Sequence, residues 1–148
     1  MPDHLRKQIR DAVATTLDGL TTTGNRVHQN LVFDFESAEL PALNVIAGED
    51  KVDGITMGSS PLEIHRLDIV VEGYADADGL TSLDDTLDLI DAEVQAALFA
   101  SPPAMAKTIE LKGAKVATTS AGDRVAGAVI ITFEFVYHVR EGAPTVAA

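Results

Sequence analysis

The chain contains no cysteine. Disulfides, thiolate nucleophiles and cysteine-ligated zinc are therefore excluded, and the usage fits a reducing compartment. Positive charge is scarce. Eleven Lys and Arg stand against 23 Asp and Glu, giving a formal net charge of −12 and a pI near 4.5. Unaided binding to nucleic-acid phosphates, or docking on an anionic membrane, asks for the opposite balance. No apolar run approaches the ~20 residues that a spanning helix needs. The first residues, MPDHLRKQIRDAV, carry an early acid and no unbroken apolar core, so no secretory signal is expected there.

What is present suits one domain. The length is 148 residues with 46% apolar side chains, enough for one core and not for two. The clearest pattern is Gly127 to Arg140, GAVIITFEFVYHVR. Val129, Ile131, Phe133, Phe135, Tyr137 and Val139 share one parity, as a long half-buried strand requires. The other parity holds Ala128, Ile130, Thr132, Glu134, Val136 and His138. It is only half polar, which implies that something else, such as a second copy of the chain, covers that face.

Asp3 reads as the N-cap of a helix with Leu5, Ile9, Ala12, Val13, Thr16, Leu17 and Leu20 at helical spacing, ended by Gly19 and Thr21–Gly24. Arg26–Phe35 reads as a strand, 37–41 as a turn, and Ala42–Ala47 as a short buried strand. Gly48–Pro61 is long for a connection and reads as a mobile loop or projecting hairpin arm. Leu62–Ala75 is a second long strand. Ser82, with Asp85 in the capping-box position, opens a helix whose stripe is Leu83, Leu87, Ile90, Val94, Ala97 and Leu98. Thr108–Thr119 and Arg124–Val139 form a hairpin turning at Ser120–Asp123, and 141–148 reads as a flexible tail. The expected fold is α+β: a mixed, mostly antiparallel sheet of about five strands with two helices on one face, in the order α-β-β-β-α-β-β.

No catalytic constellation emerges. His4, His28, His65 and His138 lie on different elements with no ligand spacing, so no metal is expected. Asp76–Gly79 fails the register of a calcium loop, because Tyr74 would take the first ligand position. Gly54–Ser60 has no Lys for a phosphate-binding loop. No cofactor is expected. The remaining candidates are charged surfaces: the acidic helix face Asp84, Asp88 and Asp91, the basic group Arg6, Lys7 and Arg10, and Glu49, Asp50, Lys51 and Asp53 in the 48–61 segment. A solvated helix face is the plain reading of the acidic stripe, and a surface for a basic partner is the functional one.

Taken in series, GNRVHQNLVF, ELPALNVIAGED, LEIHRLDIVVEGYAD, LDDTLDLIDAEVQAAL and GAVIITFEFVYHVR resemble the tail terminator proteins of long-tailed, non-contractile bacteriophages and related gene transfer particles. The likeness runs from Leu5 to Arg140 and rests on order, length and pattern rather than on a catalytic signature. It implies a non-enzymatic α+β subunit that forms a homo-oligomeric, hexameric ring on the finished tail tube. Its implied partners are itself, the major tail tube protein and the head or neck connector. DNA would pass through without specific binding, and the site of action would be the head-proximal end of the virion tail. Other neck, head-closure or minor tail proteins share this size and acidity. A small ligand-binding domain or enzyme is the reading from another class, and it would bring His28, His65 or His138 together in a pocket.

Overall fold

The computed structural model describes residues 3–29, 40–76, 83–121 and 124–148. The elements are α1 (Leu5–Leu17), β1 (Val27–Gln29), β2 (Ala42–Ile55), β3 (Leu62–Asp76), α2 (Leu83–Ala100), β4 (Thr108–Ala121) and β5 (Arg124–Arg140). They form one five-stranded sheet in the order β1-β2-β3-β5-β4. β1 runs parallel to β2, and every other pairing is antiparallel. This is the expected α+β arrangement, with β1 shorter than the Arg26–Phe35 pattern suggests; residues 30–35 of that pattern lie outside the described residues, as do Ser82, most of the 37–41 turn, 77–79 of the failed calcium loop and 122–123 of the last hairpin.

Period two makes the sheet and period 3.6 makes the helices, and the two apolar sets meet. Val129, Ile131, Phe133, Phe135, Tyr137 and Val139 of β5 are all buried. Beside them lie Leu67, Ile69 and Val71 of β3 and Leu43 and Val45 of β2. Leu5, Ile9, Val13, Ala14 and Leu17 of α1 and Leu87, Ile90, Val94 and Leu98 of α2 close the core from above. Ala14, rather than Ala12 or Thr16, completes the stripe of α1.

Two glycines set how closely α2 approaches. A Cβ on Gly73 would lie 2.5 Å from Cγ2 of Ile90 and 3.1 Å from Cγ1 of Val129. One on Gly127 would lie 3.0 Å from Leu83 and 3.1 Å from Leu87. The helix is thus seated on two side-chain-free positions in adjoining strands.

Four details depart from the sequence pattern. His4, not Asp3, caps α1: its Nδ1 accepts from the Arg6 N–H at 3.0 Å, while the Asp3 carboxylate accepts from Lys7. The Ala42–Ala47 strand continues to Ile55, so of the two readings of 48–61 the hairpin is the one found: most of it is paired with β3 and only 56–61 forms the turn. Two β-bulges interrupt that pairing, between Ala47 and Asp50 and between Val52 and Gly54. The tail folds back: Ala148 N–H donates to the His138 carbonyl at 2.9 Å, and Leu5 N–H donates to the Pro144 carbonyl at 2.9 Å.

Gly73→Ala is expected to destabilise the protein by about 1–3 kcal/mol through overpacking. Ile90→Leu, which removes Cγ2, should recover part of that loss in the double variant. Denaturant unfolding of the two single variants and the double variant checks this; an additive double would show that Ile90 is not what the new methyl meets.

Candidate functional site

The strands of the core face extend past the end of α1, and polar residues replace apolar ones there. Asp50 reaches this position through the first bulge. Asn44 and Ile46 pair with Glu72 and Val70 on the helix-free face, and strict alternation would send Asp50 the same way. The extra residue between Ala47 and Asp50 reverses its direction and sets it opposite Leu67, facing inward. Its side chain is 6% exposed.

Three groups converge on that carboxylate. His65 of β3 places Nδ1 2.8 Å from Oδ1. Tyr137 of β5 donates its hydroxyl to Oδ2. Arg6, in the first turn of α1, holds Nε 3.9 Å from the same oxygen. The Nε2 of His65 lies 3.1 Å from Glu63, and its ring stacks on Tyr137 at a centroid distance of 4.8 Å. A neutral imidazole has one N–H and can satisfy only one of two carboxylates, so this geometry calls for the doubly protonated imidazolium. Burial lowers the His65 pKa, but the hydrogen bonds to Glu63 and Asp50 outweigh it and leave the value above 6.5. Burial, helped by the bond to Asp50, pushes the Tyr137 phenol well above its ordinary value. His4 is shifted the other way, first by burial and then by Arg6.

This cluster has the ingredients of acid–base chemistry but not the openings. Both nitrogens of His65 are engaged by carboxylates, and Tyr137 is held protonated against Asp50. Among the described residues no Ser, Thr or Lys nucleophile stands within hydrogen-bond reach of the imidazole. The arrangement is a clasp that fastens β2, β3 and β5 to the start of α1. Its members were individually visible in the sequence. The sequence pattern puts Asp50 in a charged loop or hairpin arm and Tyr137 within an apolar stripe, and nothing local reveals the bulge that joins them.

The charged candidates find partners inside the chain. Lys7 lies 3.0 Å from Asp3 and 2.9 Å from Asp11, and the hydrogen bonds to Asp11 and then Asp3 raise its pKa. Arg10 donates from Nε to Gln29 at 3.0 Å. Lys51 lies 3.7 Å from Glu49. Arg66 bridges Asp53 at 2.7 Å and Glu134 at 2.8 Å across the helix-free face. Exposed pairs such as these contribute little to stability, because solvent and salt screen them. Asp84 and Asp88 are exposed on α2, and Asp91 accepts from Gln95 at 2.7 Å. Within one chain the basic residues of α1 have partners other than the acidic face of α2.

His4 at the start of α1 is near enough to Asp50 and His65 to feel both charges, whereas the three histidines considered for a pocket are apart. His65 lies on the core face, His138 is opposite Ile64 on the other face, and His28 is on β1. Surface cavities of about 210 Å³ beside Ala14 and Asn25 and about 280 Å³ beside Ala143 and Val146 contain none of them. Among the described residues no group of three or more His, Asp or Glu is placed to hold a metal ion, and no helix is long and apolar enough to cross a membrane. No protein-family model matches the chain, and no curated protein is significantly similar to it.

The clasp gives a signed pH dependence. A histidine whose folded pKa is raised contributes stability fully below about pH 6.5, and that contribution is lost as pH rises through the folded value. His4, lowered in the fold, works in the opposite direction, so the informative quantity is a difference. The gap in melting temperature between the native chain and His65→Gln is expected to narrow from pH 6 to pH 8. A gap that stays constant would mean that the imidazolium plays no part.

Proposed function

We propose that this chain is a structural assembly subunit of the tail-terminator type, acting as a ring that caps a phage tail tube and joins it to the neck. One observation carries the reading. Both helices lie on one face of the sheet, and no described helix covers the other, where Ile46, Val70, Ile130 and Val136 are only half buried among Arg66, Asp68, Glu72 and Glu134. One end of that face is buried at Ala42, Asn44, Ala126 and Ala128, and the half-buried remainder, mixed apolar and charged, is suited to contact with other chains. The sealed clasp is consistent with this, because it spends its titratable groups on holding elements together.

In this reading the acidic chain lines a passage that DNA crosses without being gripped, since cations that could hold phosphates are outnumbered about two to one by acids. A closed ring repeats one heterologous interface by rotation, so each copy presents two different complementary surfaces. The tube protein would meet one end of the ring and the neck connector the other. Function would be exercised in the host cytoplasm during assembly and then in the virion.

Negative-stain electron microscopy of the full chain mixed with tail tubes tests this. The expected result is a ring of density at one tube end and an arrest of tube growth. Tubes that keep growing with bare ends would overturn the proposal. The 56–61 turn, with Met57 98% exposed at its tip, is also expected to be cut by protease in the free chain and protected on capped tubes. Equal cutting in both states would remove that turn from the contact.

A further inference from the structure

The sheet has two edges that no described residue pairs. β1 pairs with β2 at Leu43–Val45, and Ile46–Ile55 have no partner on that side among the described residues, with Gly48, Glu49, Lys51, Val52, Asp53 and Ile55 exposed or half exposed there. At the other end of the sheet β4 is the outermost strand, 14 residues long. Unpaired strands of this length carry rows of N–H and C=O groups ready to accept another strand.

The two edges are complementary. Three of the five lysines of the chain, Lys107, Lys112 and Lys115, lie on or just before β4, where Glu110 is the only described acid. The open part of β2 exposes Glu49 and Asp53 against one base, Lys51. The faces agree as well. Lys112 approaches Glu134 and Asp53 approaches Arg66, both on the helix-free face. On the helix-bearing face each edge shows one exposed valine: Val52, opposite His65 and 51% exposed, and Val116, opposite Val129 and 47% exposed. Strand directions also fit. β2 and β5 run one way, and β3 and β4 the other. A neighbour in the same orientation would present its β2 antiparallel to β4, continuing the alternation of the sheet.

We infer that the open edge of β2 and the edge of β4 pair with one another between copies, so that a single sheet passes from subunit to subunit. The occupant of each edge is a second copy of this chain. Bulges and lysines on edge strands also serve to prevent pairing. Protection of that kind works best when both edges carry the same sign, because copies then repel. Here the signs are opposite, and copies attract in one head-to-tail sense, which closes into a ring when the rotation allows. This inference rests on the ring reading and names its contact.

Charge reversal on each edge tests it, using sedimentation velocity of the full chain alone and with tail tube ends. Lys107→Glu with Lys115→Glu makes both edges acidic, and Glu49→Lys with Asp53→Lys makes both basic. Each variant alone is expected to associate at least about tenfold more weakly at low salt, and a one-to-one mixture is expected to return to within about threefold of the native chain. Melting curves establish that each variant is folded. The cysteine-free background allows a second readout that leaves the charges in place: Val52→Cys with Val116→Cys should give an oxidised ladder of copies, whereas either single variant stops at dimers. Native association that is unaffected by reversal, together with no ladder, would overturn the edge pairing while leaving the ring reading intact. A native chain that stays monomeric even with tube ends would remove both.

Discussion

β3 and β5 pair without a shift from Leu62↔Arg140 to Asp76↔Ala126, and the rest of the molecule is built on that register. It places Leu67 beside Phe135, Ile69 beside Phe133 and Val71 beside Ile131. Three such rows make a continuous apolar floor in the middle of the sheet, and two helices are the smallest cover that hides it. A slip of one residue would turn the whole floor outward, so the register is fixed by burial and not by the hydrogen bonds alone. The outer strands are less constrained. β2 and β4 both carry bulges, and it is on these two strands that charge and exposed valines accumulate.

The elements that could be read from the sequence are those whose pattern is local and periodic. Val129 to Val139 alternates cleanly, Leu87 to Leu98 repeats at helical spacing, and each became the buried face of its element. The extent of β2 was not legible, because past Ala47 its apolar pattern stops and only pairing with β3 keeps it extended. The return of the tail was equally hidden. Pro144 and Ala148 are held by Leu5 and His138, partners remote in the chain or across the sheet, and a terminal GAPTVAA gives no sign of them. The clasp was hidden for a sharper reason. Parity assigns Asp50 to the helix-free face, and a single inserted residue reverses that assignment.

A sealed polar clasp beneath a helix end and an uncovered sheet face serve different purposes in one chain. The clasp makes the monomer self-consistent: a carboxylate at 6% exposure would cost several kcal/mol if left alone, and two hydrogen-bond donors and the Arg6 guanidinium reach it. The half-buried part of the helix-free face and the strand edges that no described residue pairs are features that a subunit meant to remain single would be expected to conceal.

The connection between β3 and β5 contains both α2 and β4, whereas β2 meets β3, and β4 meets β5, through short turns. Each hairpin can therefore zip from near neighbours, while joining the two hairpins must close a loop of roughly fifty residues against chain entropy. Because α2 seals the seam that this closure creates, neither hairpin has a finished core by itself. The polypeptide should collapse and open as one cooperative body, with amide exchange in the central strands reporting a single common opening energy.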